Sequence, residues 1–209
     1  MNYIKKIGKI SVEKALGVYL NSDLICMGID VAQHNTGIAI IRITKSHVIL
    51  DSIYKVTVPK KTEIMNTIDL FIDQVERIKS EISQKYKIDV TMIEDCFFLK
   101  NVNTLKCLAR FSAIAYDRFR GLSKESHFIL PTSARSKVNF KKSSKEIKGD
   151  YLKKEIIDYV NKALGIKITD TDEADAIVLA LAGLSKNIPF PKKRKKNSKM
   201  KNKKGRKLR

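Results

Sequence analysis

Residues 24–43 read LICMGIDVAQHNTGIAIIRI, and this stretch is the clearest indication of the fold. It contains two apolar runs rich in isoleucine, 24–31 and 36–43, which have the composition of buried β-strands. The segment between them, Ala32 to Gly37, is short enough to reverse the chain in a tight turn. The stretch therefore predicts an antiparallel hairpin.

The pattern that follows extends this hairpin into a mixed sheet covered by helices. A third strand-like run, 47–58, comes directly after the hairpin, so the first three strands form a meander. Segments with the apolar period of a helix then alternate with short strand-like runs. The predicted helices are 62–86, 102–120, 150–164 and 172–186, and the further strands are 89–94 and 127–130. We expect an α/β fold in which an antiparallel meander leads into parallel strands, while residues 132–154 show no regular pattern.

Length and composition indicate one folded domain with a flanking segment at each end. The chain has 209 residues and is 43% hydrophobic, which is enough for a sizeable core. We expect an N-terminal leader over residues 1–22, a folded domain over 23–188 and a disordered basic tail over 189–209. The leader contains a short run, 12–20, with the spacing of an amphipathic helix.

The charge of the chain points to a polyanionic partner. The net charge is +20, and 12 of the 42 lysines and arginines lie in residues 191–209, which contain no acid. The rest of the chain keeps a net charge of +8. The positive charge of the tail alone could instead serve solubility or reflect a compositional bias toward lysine. Neither alternative explains well why the rest of the chain is also basic. Nucleic acid is the partner that this excess of lysine favours.

Cysteine usage and hydropathy indicate an intracellular setting. Cys26, Cys96 and Cys107 lie in apolar surroundings without C-x-x-C spacing, so we expect reduced thiols, no disulfide and no zinc site. The sequence shows no apolar stretch of membrane length and no signal peptide. We therefore expect a cytoplasmic protein, of bacterial, phage or viral setting, that is neither secreted nor bound to a membrane.

Four acids occupy positions where a carboxylate is costly. Asp30 ends the first apolar run and Glu94 ends the strand 89–94, while Asp172 and Asp175 begin the last apolar helix. Their spacing puts the last two on one helix face. Taken singly, Asp30 could form a turn, and Asp172 and Asp175 could cap the helix. If the four meet, a cation must join them, and oxygen ligands suit Mg²⁺ or Mn²⁺.

Three motifs in order resemble those of RuvC-type Holliday-junction resolvases. Residues 28–39, GIDVAQHNTGIA, are similar to the first motif of that family, residues 93–98, IEDCFF, to the second, and residues 172–176, DEADA, to the last. The resemblance covers about residues 24–186. It departs from the family at Gln33-His34-Asn35, where Pro-Gly is usual, and in the leader and tail. The resemblance implies an RNase H-like fold with a mixed five-stranded sheet flanked by helices.

The resemblance also implies the residues of the site. Carried over position by position, the metal-binding and catalytic acids fall on Asp30, Glu94, Asp172 and Asp175. Phe97 matches an aromatic residue that contacts bases at the centre of a junction. Arg135 and Lys153 fall near two basic positions that handle phosphates. The basic run around them completes the candidate nucleic-acid-binding residues, which are Phe97, Arg135, Lys137, Lys141, Lys142, Lys145, Lys148 and Lys153.

The implied function is cleavage of four-way or branched DNA by a homodimer. The implied cofactor is Mg²⁺, for which Mn²⁺ substitutes, in a two-metal-ion hydrolysis of the phosphodiester. Two alternatives remain open at this stage. One is another RNase H-like nuclease that acts on flaps, RNA–DNA hybrids or RNA, because the same acids would serve those substrates. The other is a basic nucleic-acid-binding protein without catalysis.

Overall fold

The computed structural model describes residues 23–44, 48–96, 101–144 and 148–187. These residues form five strands, five α-helices and a short 3-10 helix, Arg120–Leu122. The strands are β1 (Leu24–Asp30), β2 (Asn35–Ile43), β3 (Val48–Thr57), β4 (Ile88–Glu94) and β5 (Ser123–Ile129). The α-helices are α1 (Ile64–Lys85), α2 (Val102–Phe119), α3 (Pro131–Lys137), α4 (Gly149–Leu164) and α5 (Thr171–Asn187).

The strands form one mixed sheet with the order β3-β2-β1-β4-β5. β1 pairs with β2 and β2 with β3 in antiparallel fashion, whereas β4 pairs in parallel with β1 and with β5. The predicted hairpin, meander and parallel strands are therefore confirmed. β1 lies at the centre, with an antiparallel neighbour on one side and a parallel neighbour on the other.

Side chains alternate between two cores on the two sides of the sheet. On one side, Cys26 and Met92 pack with buried residues of α3, α4 and α5. On the other side, Met27 and Ile29 pack with buried aromatic residues of α1 and α2, among which Phe71 meets a second ring edge-on. Because β1 contributes to both cores and is almost fully buried, it carries continuous apolar residues up to Asp30.

Helix α5 lies unusually close to the hairpin because glycines stand beneath it. A Cβ atom on Gly28 would lie 2.1 Å from the backbone oxygen of Ala176 and 2.3 Å from the backbone nitrogen of Ala180. A Cβ atom on Gly37 would lie 2.4 Å from the backbone oxygen of Asp172. No side chain fits in these gaps, so the helix backbone rests directly on the backbones of β1 and β2. This contact fixes the first turns of α5 above the end of β1.

Two elements differ from the sequence-based prediction. β5 begins at Ser123 rather than at residue 127, because its first residues are polar and lie at the edge of the sheet, where no apolar alternation is needed. α3 begins at Pro131, and the rest of it lies in residues 132–154, for which no regular pattern was predicted. This helix has seven residues and buries only Ala134 among them, so it shows no apolar period.

Several other predictions meet the structure only in part. The leader, its short helix and the basic tail lie outside the described residues, so the predicted domain limits stay predictions. All three cysteines are free thiols, and burial raises the pKa of Cys26 to about 12. Within the described ranges, no helix combines the length and the apolar character needed to cross a bilayer.

The close contact between α5 and β1 predicts that Gly28→Ala destabilises the protein. The added methyl group must push the helix backbone away, and overpacking of this kind costs ~1–3 kcal/mol. For a chain of this size, each kcal/mol lowers the unfolding temperature by roughly 2–4 °C. Thermal unfolding followed by circular dichroism measures the change.

Gly121→Ala is the matched control for this substitution. A Cβ atom at Gly121 would have no heavy atom within 4 Å, so the variant reports only the general effect of replacing glycine by alanine. It is expected to unfold at or above the wild-type temperature. If Gly28→Ala unfolded at the same temperature as Gly121→Ala, the close approach of α5 would be contradicted.

Candidate metal centre

Two of the predicted acids, Asp30 and Glu94, end neighbouring parallel strands. β1 and β4 are paired in a register that places Ile29 beside Ile93, so the next residue of each strand lies beside its counterpart. By strand alternation, both acids lie on the face of the sheet that α5 covers. Their carboxyl groups are hydrogen-bonded to each other.

The other two predicted acids, Asp172 and Asp175, lie in the first turns of α5. Their side chains are 25% and 22% exposed, and the charge of each acts on Asp30. The close packing of α5 against Gly28 and Gly37 brings both acids to the ends of β1 and β4. The structure therefore brings together all four acids that the sequence singled out.

The cap of α5 is a different residue, Asp170. Its Oδ1 atom accepts hydrogen bonds from the backbone nitrogen of Asp172 at 2.8 Å and from that of Glu173 at 3.2 Å. These are the bonds by which an N-cap side chain satisfies the first N–H groups of a helix. The alternative that Asp172 and Asp175 serve as the N-cap therefore does not hold.

The turn that follows Asp30 is also closed by other groups. The side-chain oxygen of Thr36 accepts a hydrogen bond from the backbone nitrogen of Ala32 at 3.0 Å and donates one to its carbonyl at 2.9 Å. Thr36 is 1% exposed, so this pair of bonds holds the turn from within. The carboxylate of Asp30 is left to face the other acids.

The cluster holds more negative charge than its surroundings favour. Burial raises the pKa of Asp30 well above its ordinary value, and the hydrogen bond to Glu94 raises it further. Burial also raises the pKa of Glu94 and of Asp175, although the charge of Arg135 works against this rise at both groups. The hydrogen bond between them raises the pKa of Asp30 and lowers that of Glu94, so Asp30 is the donor when the pair holds one proton. A bound cation would relieve the same strain in place of that proton.

Arg135 and Lys153 are the predicted phosphate-handling residues that lie at this cluster. The Nη2 atom of Arg135 is 3.1 Å from Oδ1 of Asp175, and its side chain is 20% exposed. Its Nε atom is buried and has no hydrogen-bond partner among the described residues. Lys153, on α4, is exposed, and its charge lowers the pKa of Asp175. Arg135, Glu94 and Asp175 line one small cavity.

Lys55 is a residue of the cluster that sequence reasoning missed. It lies on β3 directly opposite Gly37, and its Nζ atom is hydrogen-bonded to Asp170 and lies 3.3 Å from Oδ2 of Asp172. Against the opposing effect of burial, these bonds raise the pKa of Lys55. The only sequence signal was a charged residue within an apolar strand, which is also typical of a strand with one exposed face.

The other predicted nucleic-acid-binding residues lie farther along the same basic run. Lys137 is half-buried at the end of α3. Lys141, Lys142 and Lys148 are exposed. Phe97 and Lys145 lie outside the described residues, so their roles stay predictions.

The four acids fit a divalent cation in chemistry but are not yet arranged around one. Among the described residues, no three His, Cys, Asp or Glu side chains are already spaced to hold a metal ion. Two of the acids are instead paired with basic groups, Asp172 with Lys55 and Asp175 with Arg135. The donor set consists of carboxylate oxygens alone, which is the set that Mg²⁺ and Mn²⁺ prefer. The raised pKa of three of these groups marks a place where a cation is favourable.

Comparison with known proteins gives the family and the fold of the chain. The sequence profile of the family described as crossover junction endodeoxyribonuclease RuvC matches residues 26–183, which is more than half of the chain. RuvC of Thermus thermophilus in complex with a Holliday junction substrate is similar in structure, with a TM-score of 0.60 at 13% identity, covering 78% of this chain and 95% of that one. A further structure of Thermus thermophilus RuvC also gives a TM-score of 0.60, at 12% identity, covering 78% of this chain and 96% of that one. No curated protein sequence matches the chain significantly.

The excess of negative charge predicts that Asp30→Asn stabilises the metal-free protein. Asparagine has the shape of a protonated aspartic acid and can donate the same hydrogen bond to Glu94, but it carries no charge to bury. In EDTA at neutral pH, the variant is expected to unfold several degrees above the wild type. Asp51→Asn is the control, because Asp51 is paired with Arg42 at 2.8 Å and its loss removes a favourable contact. A lower unfolding temperature for Asp30→Asn would contradict the charge excess.

Proposed function

The chain belongs to the RuvC family of crossover junction endodeoxyribonucleases, which resolve DNA junctions, and we propose that Asp30, Glu94, Asp172 and Asp175 form its catalytic centre. One observation carries this proposal. The four carboxyl groups come from three separate elements, β1, β4 and α5, and meet at one edge of the sheet where burial raises the pKa of three of them. The acids are not needed to cap the helix or to close the turn, because Asp170 caps the helix and Thr36 closes the turn.

The proposed cofactor is Mg²⁺, with Mn²⁺ as a substitute. Bound at these acids, it would lower the pKa of a water molecule to supply the nucleophile and neutralise charge on the phosphate and the leaving oxygen. Asp30, Glu94 and the two acids of α5, Asp172 and Asp175, would hold the ion through their carboxylate oxygens. Metal binding there would require Asp172 and Asp175 to turn from their basic partners, Lys55 and Arg135.

The basic residues at the cluster are proposed to orient the DNA backbone. Arg135 reaches the acids with a guanidinium group that binds carboxylate or phosphate equally well. When a cation takes its place at Asp175, the same group is free for a phosphate oxygen. Lys153 approaches the same acid from α4 and adds a second positive charge beside it.

A wider basic surface is proposed to guide the arms of the junction toward this centre. The exposed lysines Lys141, Lys142 and Lys148 lie between Arg135 and Lys153 along the chain, and Lys137 and Lys145 belong to the same run. Contacts of this kind to phosphates fix the register of DNA without reading its sequence. Phe97, three residues beyond Glu94, is proposed to stack on a base at the junction centre, where bases are partly unpaired.

A homodimer is proposed as the functional assembly. Resolution of a four-way junction requires cuts in two strands related by two-fold symmetry. The four acids of one chain would supply one cut, so two copies related by a two-fold axis would supply the pair. The proposed substrate is therefore bound by a symmetric pair of basic surfaces.

The assignment of the acids predicts that Asp30→Asn abolishes cleavage of a four-way junction in Mg²⁺. The same variant is expected to bind the junction as tightly as the wild type or more tightly, because one negative charge facing the phosphates is lost. Cleavage is measured with excess enzyme on a labelled junction, and binding is measured separately by gel shift in EDTA.

Asp95→Asn is the matched control, since it removes an equal charge at the residue next to Glu94. Asp95 lies beyond the end of β4 and lines a cavity with Val31 and Ser112, on the side of the sheet that α2 covers, so this variant is expected to cut at the wild-type rate. If Asp30→Asn retained cleavage within several-fold of the wild type, the assignment would be wrong.

The basic tail predicts a second, separable effect. Deletion of residues 191–209 removes 12 positive charges and no negative ones, so duplex and junction affinities should both fall. The dependence of log Kd on log salt should become less steep, because fewer counterions are released. Cleavage at saturating enzyme should be unchanged. An unaltered salt slope would mean that the tail does not contact DNA.

A further inference from the structure

Lys55 contacts two carboxylates that have different roles. Its Nζ atom is hydrogen-bonded to Asp170 Oδ2, and it is 3.3 Å from Oδ2 of Asp172. Asp170 belongs to the cap of α5, whereas Asp172 belongs to the acid cluster. The ammonium group therefore links the fixed end of the helix to one of the proposed metal ligands.

The two contacts of Lys55 differ in strength. Asp170 is fully engaged, because one carboxylate oxygen accepts two backbone N–H groups and the other accepts the ammonium group. Although burial works against it, the bond from Lys55 holds the pKa of Asp170 below its ordinary value. Besides Lys55, the one further hydrogen-bond partner of the Asp172 carboxylate in the described part of the chain is the hydroxyl of Thr171, at a long 3.4 Å. The contact with Asp172 is thus the one that can be exchanged.

The position of α5 does not depend on Lys55. The helix backbone is held against Gly28 and Gly37, where a Cβ atom would come within 2.4 Å or less of it. Removal of the ammonium group therefore leaves Asp172 near its place and takes away a competing positive charge. If Lys55 only held the helix in position, its removal would displace Asp172 and weaken metal binding.

We propose that Lys55 competes with the divalent cation for Asp172, so that it neutralises this ligand in the metal-free protein and weakens metal binding. The inference rests on the proposed function of the four acids. When a cation binds, Asp172 turns to it and the ammonium group stays with Asp170, its second partner. Lys55 is accordingly a positioning residue that sets metal affinity, with no contact to the metal itself. Its effect follows from Coulomb repulsion between two cations a few ångströms apart.

The test is the affinity of the full-length protein for Mn²⁺, measured by isothermal titration calorimetry without DNA. Lys55→Met is expected to bind Mn²⁺ roughly three- to tenfold more tightly than the wild type. Lys55→Arg keeps the charge and is expected to bind as the wild type does. Lys124→Met is the control for net charge, because Lys124 forms an equivalent ion pair with Asp89 at 2.6 Å on another part of the surface. It should leave the affinity unchanged.

A double-mutant cycle with Asp170 gives a second measurement. Asp170→Asn retains a good capping side chain but takes away the alternative partner of Lys55, so Mn²⁺ binding should weaken by a few-fold. In the Lys55→Met background, the same substitution should change the affinity much less, because the competing charge is already gone. Equal effects in the two backgrounds would overturn the proposal.

The outcomes separate this inference from the proposed function. If the wild type binds Mn²⁺, Asp30→Asn does not, and Lys55→Met binds with unchanged or lower affinity, then the competition is refuted and the acids keep their role. If Asp30→Asn binds Mn²⁺ as well as the wild type, the metal centre itself is refuted, and the inference about Lys55 falls with it.

Discussion

The site depends on the close packing of α5 against the glycines of the hairpin. With no side chain at Gly28 or Gly37, the helix backbone comes within reach of the strand backbones, at distances where a single methyl group would clash. This closeness carries Asp172 and Asp175 to the strand ends that hold Asp30 and Glu94. A helix packed at the usual distance on larger side chains would leave the two pairs of acids apart. The fold and the chemistry thus share one steric constraint.

The electrostatic cost of bringing these acids together explains the residues that surround them. Four carboxyl groups in a partly buried place repel one another. This repulsion is reduced by the hydrogen bond between Asp30 and Glu94 and by two basic partners, Arg135 and Lys55. These contacts therefore balance part of the negative charge at the site. The same groups that balance it are those that must move when a cation and a phosphate arrive. Function is favoured here over stability, as is common at catalytic centres.

The sequence predicted what depends on local pattern and missed what depends on distant contacts. The hairpin, the parallel strands and the four acids were all found, because apolar runs and the residues that end them can be read directly along the chain. The start of β5 and the helix α3 were missed, since a polar edge strand and a short basic helix carry no apolar period. Lys55 was missed because its partner Asp170 lies 115 residues away. The role of Gly28 and Gly37 could likewise be recognised only once the position of α5 above them was known.

Anomalous diffraction from a crystal of the protein grown with Mn²⁺ would show whether these four carboxylates hold the metal. We expect an anomalous peak bonded to Asp30 and to at least one carboxylate of β4 or α5, with Asp172 turned from Lys55 and Asp175 from Arg135. A peak bound elsewhere, with the ion pairs of Lys55 and Arg135 intact and Asp30 still hydrogen-bonded to Glu94, would contradict it.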